Sequence, residues 1–369
     1  MIQERLKALR AEMEKRGITV YVVPTADFHE SEYVGDHFKA RKFITGFTGS
    51  AGTAVITAEE AGLWTDGRYF VQAENQLKGS TVTLYRMGEE GVPTVDEFVK
   101  DKLNEGGCLG FDGRVVNGTW GGKLEKIASA KNASMHVTED LIDLIWEDRP
   151  ALSKQPLFIL EEKYSGKSTA DKIADLRKAM KENGANVHIL TSLYDIAWLL
   201  NIRGNDIDYV PVVLSYLVLT ETECIWFLQE DVVDDKIRAY LDENHIITKP
   251  YNAVYDYVPE IPADAVVLMN RGMVNYRIVN SLDKAIKVVD KPNPTELMKA
   301  VKNKTEVDNT RAAHVKDGVA FTKFMYWLKT NIGKIPMTEI SASDYLEARR
   351  REQENFIELS FDTICAYGA

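Results

Sequence analysis

Apolar positions along the chain follow two rhythms, and their order occurs twice. Leu6, Leu9 and Met13 stand at helical spacing, Gly17 follows, and Val20-Tyr21-Val22-Val23 forms an unbroken apolar run. Apolar residues at i, i+3 and i+7 give a helix one buried face. A glycine just beyond supplies the left-handed backbone that ends a helix. The same series returns 167 positions later as Ile173, Leu176, Met180, Gly184 and Val187-His188-Ile189-Leu190. Arg10 and Arg177 match at the same offset, with no gap. Any two helix–strand units look broadly alike, but a shared arginine, methionine and glycine at one offset point to a duplicated α/β unit.

The pattern predicts the remaining elements of each copy. In the first, residues 52–57 and 62–65 form a hairpin, 69–77 a helix, and 81–86 and 108–111 strands. In the second, 212–219 and 223–228 are strands, 231–243 a helix, and 265–269 and 286–289 strands. Prolines collect between the copies, from Arg149-Pro150 through Gln155-Pro156, and again at Lys291-Pro292-Asn293-Pro294. Proline removes a backbone donor and interrupts regular structure. The expected division is 1–150, 156–291 and 294–369. In the third region Thr295 is expected to cap a long helix carrying Leu297, Met298 and Val301 and continuing through Ala312, Val315, Val319 and Trp327. Ser341 with Asp344 signals a second helix over roughly 342–354. Residues 357–367 read as a strand.

Composition narrows the class. The 369 residues are 45% hydrophobic and 27% charged, with net charge −11, the balance of a soluble globular protein. No apolar run approaches the ~20 residues that span a bilayer, and the N-terminus has no secretory pattern. The acidic balance argues against a nucleic-acid surface. Cys108, Cys224 and Cys365 are sparse and odd in number, which suits reduced thiols in a cytoplasmic protein.

Several local groupings could carry chemistry. Gly46-Phe47-Thr48-Gly49-Ser50-Ala51-Gly52 lacks the lysine of a phosphate loop, and Ser50 lacks the flanking glycine of a nucleophile elbow. A tight turn approached by other backbone is the better reading. Asp27, His29, Glu30, Glu32, Asp36 and His37 mix metal-ligand types but lack helical ligand spacing, which favours a surface or interdomain polar network. Arg68, after the Asp66-Gly67 turn, could hold a carboxylate bidentately or form a structural ion pair. Asn201 through Asp208 gathers acids after an apolar helix, with an internal Arg203–Asp206 pair expected. His314 lies alone on a helix; His136, His188 and His245 sit in or beside strands.

The longer motifs resemble a known family. They are His29-x-Ser31-Glu32-Tyr33, Arg41 through Ala54, Trp64-Thr65-Asp66-Gly67-Arg68-Tyr69-Phe70, Ile196 through Ile207, Lys302-Asn303-x-Thr305-Glu306, Ala313 through Ala320, and Ser360 through Ile364. They are similar to the long, three-domain, cytosolic Xaa-Pro aminopeptidases (aminopeptidase P, peptidase family M24) over essentially the whole chain. The resemblance implies two tandem creatinase-like α/β domains with mixed sheets and flanking helices. The first helices and strand of an α+β pita-bread domain would follow.

It also implies a metallohydrolase that releases the first residue from peptides with proline second, using two divalent cations, commonly manganese, and assembling as a homodimer. The family's metal ligands are two aspartates, a histidine and two glutamates, downstream of the position matching Ala369. On that basis no catalytic or metal-binding residue and no cofactor is expected within this chain, Asp362 is not a ligand, and only Arg68 matches a substrate contact. A chain without the cations would lack an activated water and a Lewis acid, so this one is expected to be inactive alone. A second reading is a non-catalytic binding or assembly module of the two domains, which requires 357–367 to pack as a complete element. A third, a nucleotide-binding protein, is disfavoured by the missing phosphate loop.

Overall fold

The computed structural model describes residues 1–367. The first copy runs α1 (Ile2–Lys15), β1 (Val20–Pro24), α2 (Ala40–Thr45), β2 (Thr53–Thr57), β3 (Ala61–Thr65), α3 (Phe70–Gln76), β4 (Thr83–Arg86), α4 (Val95–Lys102), β5 (Cys108–Phe111), α5 (Gly118–Ala130) and β6 (Ser134–His136). The second runs β7 (Phe158–Ile159), α6 (Glu162–Ser165), α7 (Thr169–Glu182), β8 (Val187–Leu190), α8 (Leu193–Leu200), β9 (Ile202–Arg203), β10 (Ser215–Thr220), β11 (Cys224–Leu228), α9 (Asp235–Glu243), β12 (Ile246–Pro250), α10 (Val254–Tyr257), β13 (Val266–Met269), α11 (Tyr276–Ser281) and β14 (Lys287–Asp290). Helices α12 (Pro294–Ala300), α13 (Lys304–Asn331) and α14 (Glu339–Arg351) follow.

Each copy is built on a six-stranded mixed sheet, ordered β4-β3-β2-β1-β5-β6 in the first and β12-β11-β10-β8-β13-β14 in the second. The pairings correspond one for one: β1 and β8 each lie antiparallel to the hairpin and parallel to β5 or β13. The duplication extends to single hydrogen bonds. Helices α1 and α7 bury Leu6, Leu9 and Met13, and Ile173, Leu176 and Met180. Gly17 and Gly184 end them with φ of 66° and 68°. Arg10 Nε donates to the Thr57 carbonyl at 2.9 Å, and Arg177 Nε to the Thr220 carbonyl at 3.0 Å. Both carbonyls sit where a hairpin reverses, at the matching Thr57–Glu60 and Thr220–Glu223 turns. The shared arginine is therefore a strap from helix to hairpin.

The two copies meet across a local two-fold axis. Asn117 and Asn275, which cap α5 and α11, face each other in an antiparallel bridge. Gly118 N donates to Val274 O at 2.8 Å, and its counterpart Tyr276 N to Val116 O at 2.7 Å. Thr119 N reaches Arg271 O at 3.0 Å, and Arg277 N reaches Gly113 O at 2.9 Å. This is the isologous arrangement of a symmetric dimer, made within one chain. Phe28 and Phe38, from the loop after β1, are buried in the core of the second copy beside Ile189, Tyr216 and Val254.

The third region departs from expectation in detail. Asn293, not Thr295, occupies the N-cap of α12, and its N–H donates to the Glu296 carboxylate at 3.2 Å. Thr295 is buried. The expected long helix is broken after Ala300 and restarts at α13 with a reciprocal Asn303–Glu306 capping box. Thr338 with Ser341, rather than Ser341 with Asp344, caps α14. Residues 357–367 contain no strand. A strand needs a partner ladder, and none of the described residues pairs with this segment. Helices α13 and α14 pack as a hairpin with Trp327 stacked on Tyr345 at 4.0 Å.

Two neighbouring glycines of α5 test the junction. A Cβ on Gly121 would collide with the Tyr276 ring, whereas one on Gly122 would meet nothing within 4 Å. In urea denaturation Gly121→Ala is expected to cost about 1–3 kcal/mol through overpacking. Gly122→Ala is expected to gain about 0.5–1 kcal/mol from helix propensity alone.

Candidate functional site

A cavity of about 520 Å³ opens where the two copies, their linker and the C-terminal segment meet. Its walls come from residues 32–42, the glycine-rich turn at Thr48–Ser50, the linker around Pro150–Gln155, the loop Asn205–Tyr209, and Asp362. Three groupings singled out in the sequence converge here, although they lie far apart along the chain.

The glycine-rich turn is shaped by Arg41. This buried guanidinium donates from Nε to Thr25 Oγ1 at 2.9 Å and from Nη1 to Phe47 O at 2.6 Å, and also to Gly49 O. Its charge has no carboxylate partner among the described residues, and burial pulls its pKa down to about 10. Gly46 takes φ of 78°, and a Cβ on Gly52 would lie 2.9 Å from Trp64 O. The run is the close-approach turn expected from its glycines. Ser50 is hydrogen-bonded to Tyr69 OH at 2.5 Å.

The acid–histidine grouping splits into two. Asp27 and His29 are fully buried, and His29 joins the copies. Asp27 Oδ1 accepts the His29 and Ser31 amides at 2.9 and 3.0 Å. His29 Nδ1 lies 3.0 Å from Thr191 O and Nε2 lies 2.6 Å from Tyr251 OH. These contacts assign the proton to Nδ1, leaving Nε2 to accept from the tyrosine. Burial, only partly opposed by Asp27 and the Thr191 carbonyl, drops the imidazole pKa to about 4. Glu30, at φ 56°, is pushed up to about 7 by burial. Glu32, Asp36 and His37 instead line the cavity, with Asp36 paired to Lys39 and His37 Nδ1 2.8 Å from Pro150 O.

On the opposite wall the expected Arg203–Asp206 pair is not formed. Arg203 donates to the carbonyls of Ala197 and Ile202. Asp206 is buried and accepts the Gln155 and Leu214 amides at 3.1 and 2.9 Å, so it fastens the linker to the second copy. Burial raises its pKa. Chain geometry decides the matter: Arg203 lies in β9 pointing back at α8, and the loop has turned before Asp206. Asn201 ends α8 at φ 50° and accepts from the buried Lys172 Nζ at 2.7 Å. Tyr209, at φ 68°, ties down the C-terminal segment: its N–H donates to Glu358 at 3.2 Å and its hydroxyl to Asp362. No candidate grouping in the sequence singled out Arg41, Lys172 or Tyr209 for chemistry, because their roles depend on distant backbone.

Arg68 stands outside the cavity, exposed, on a short turn capped by Asp66. Its Nε and Nη2 already grip both Asp66 oxygens at 2.8 and 2.9 Å, and this hydrogen bonding holds Asp66 down to about 2. The bidentate edge of the guanidinium is therefore occupied internally, and Nη1 remains to reach outward. Arg68 lies 5.2 Å from the Tyr69 ring, which links it through Ser50 to the cavity rim. Among the described residues no three His, Cys, Asp or Glu side chains come together as a metal site, so the residues present do not fit a dinuclear centre. His314 is exposed on α13. Likewise no described helix is long and apolar enough to cross a membrane.

Two tandem domains of one creatinase-type α/β fold, joined around an interdomain cleft, define the class. The Creatinase/Prolidase N-terminal domain family matches twice, at residues 5–145 and 148–306, and the chain belongs to that family. The probable Xaa-Pro aminopeptidase P of Neurospora crassa is 39% identical over 380 residues, 99% of this chain and 55% of that protein. Its counterpart in Sordaria macrospora is 38% identical, over 99% of this chain and 62% of that protein. Among solved structures, the X-prolyl aminopeptidase from Caenorhabditis elegans, described as a cytosolic enzyme with a di-nuclear active site, matches with a TM-score of 0.93. Its identity is 32%, over 99% of this chain and 62% of that one. The chain thus spans 55% to 62% of the length of these relatives.

His29 gives the junction a defined acid response. Its folded pKa near 4 lies below the ordinary 6.5, so between these values the unfolded chain binds more protons. The stabilisation is complete above about pH 6.5 and is lost as pH falls towards 4, by about 3 kcal/mol. Glu30, protonated in the fold up to about pH 7, opposes this by stabilising at low pH and losing that contribution between 4.5 and 7. The two contributions nearly offset each other, so in urea titrations across pH 4–7 Glu30→Gln is expected to unmask a fall in stability on acidification, and His29→Gln to turn it into a rise.

Proposed function

We propose that this chain is the N-terminal part of a metal-dependent Xaa-Pro aminopeptidase, which hydrolyses the amide between a first residue and a following proline. The observation that carries this reading is the TM-score of 0.93 to a named X-prolyl aminopeptidase across 99% of the chain. Residues 1–150 and 156–291 act as the two creatinase-like domains, and 294–369 open the catalytic domain. The exposed apolar side chains Leu297, Val315, Tyr326, Ile340 and Phe361 support a further surface packing against this third region. Exposure of Ile364 and Tyr367 tells against a freestanding module made of the first two domains alone.

In this reading the two cations, manganese by family precedent, are held by residues beyond position 369, and the chain by itself is inactive. When bound, such cations supply an activated water and polarise the scissile carbonyl. The part left to this chain is substrate placement. Arg68, steadied by Asp66 on one edge, offers its outward N–H groups to the peptide. The enzyme acts in the cytoplasm, as its relative from Caenorhabditis elegans is described to do, and as a homodimer.

Purified as 369 residues with manganese, the protein is expected to release no amino acid from an X-Pro-Pro peptide, whereas a chain extended to the length of its relatives does. Manganese-dependent cleavage by the 369-residue chain would contradict the reading. In the extended enzyme Arg68→Ala is expected to raise KM about tenfold with the bound metal unchanged, as loss of one charged contact predicts.

A further inference from the structure

The charges around the interdomain cavity are sorted by wall. On the first-domain side stand the buried Arg41, which lacks a carboxylate partner, and Lys42, which has no ion-pair partner among the described residues. Asp36 on that wall is already neutralised by Lys39. On the other side stand Asp208 and Asp362, the latter accepting from the Tyr209 hydroxyl, with Asp206 buried, while Glu32 lines the cavity where its N–H meets Tyr194 of the second domain. Tyr33 and Tyr209, 6.0 Å apart, place the Glu32 stretch against the second domain. A buried cation without a counter-ion is costly unless an anion completes it. Three of the five Arg41 N–H groups are spent on Thr25, Phe47 and Gly49, which leaves donors for a ligand. The volume, about 520 Å³, falls within the range of small-ligand sites.

We propose that this cleft binds the zwitterion of a short peptide, its carboxylate at the Arg41–Lys42 wall and its ammonium group at the Glu32–Asp208–Asp362 wall. The cleft then serves as a holding site for a short peptide. The identity of the ligand as a peptide rests on the aminopeptidase reading. The opposed charges, rather than that reading, require a ligand with a cation and an anion at its two ends. A simple anion such as phosphate satisfies only one wall.

Isothermal titration of the 369-residue chain with Gly-Pro-Pro, its C-terminal amide, its N-acetyl derivative and inorganic phosphate tests this. Binding of the free tripeptide is expected, weakened at least fivefold by either blocking group. Lys42→Glu, at an exposed position, is expected to weaken the tripeptide about tenfold, and Asp208→Asn to weaken it while leaving phosphate unaffected. Arg41 is left intact because it shapes the turn. No binding of the free tripeptide, or equal binding of the blocked forms, overturns the site. Gly-Gly-Gly separates the two claims. Binding equal to Gly-Pro-Pro supports the cleft, whose opposed charges do not select proline, and leaves the X-Pro reading to the cleavage assay. Cleavage of X-Pro-Pro by the extended enzyme without any tripeptide binding here overturns the cleft and leaves that reading standing.

Discussion

Everything distinctive in this molecule depends on the four backbone hydrogen bonds that cross the local two-fold axis beside Asn117 and Asn275. Each copy supplies the same donors and acceptors, so the junction uses the ends of α5 and α11 twice over. Main-chain amides at a helix N-terminus lack intrahelical partners; here the neighbouring domain satisfies them. Burying them without the neighbour would leave polar groups unpaired at about 1–3 kcal/mol each. The domains are thereby held in one relative orientation, and the cavity between residues 32–42 and 205–209 exists because of it. His29 and Phe28 add a polar pin and an apolar plug to the same junction.

The duplication was legible because it rests on local rules. Helix periodicity, a glycine stop and an apolar strand are written in consecutive residues, and the structure returns them at the expected positions; that the matched arginines strap helix to hairpin was not legible. Edge strands β6 and β12 were not foreseen: their half-exposed residues carry no continuous apolar run. The junction was invisible for another reason. Its bonds are made by backbone, and Gly121 reveals its purpose only when Tyr276, far along the chain, is seen to lie against it.

The candidate chemistry was legible in the same uneven way. The glycine-rich turn was read correctly from its glycines, but the arginine that shapes it was not singled out for chemistry, since Arg41 acts on carbonyls rather than on a motif partner. The Arg203–Asp206 pair was inferred from proximity in sequence and failed because β9 and the loop beyond it aim the two side chains apart. Arg68 keeps the rigid turn expected of it, yet its fork is turned inward onto Asp66. A guanidinium so held is a placed charge more than a bidentate clamp. The cavity collects residues from five separate stretches, and no single stretch announces it.

Native-state amide hydrogen exchange at the junction tests the central claim most directly. If the two domains are one cooperative body joined at the two-fold axis, the amides of Gly118, Thr119, Tyr276 and Arg277 exchange only with global unfolding, as slowly as those of β1 and β8. Exchange of these four amides at rates typical of exposed loops, while β1 and β8 stay protected, would show two domains that hinge apart. The cleft would then be an accident of one orientation.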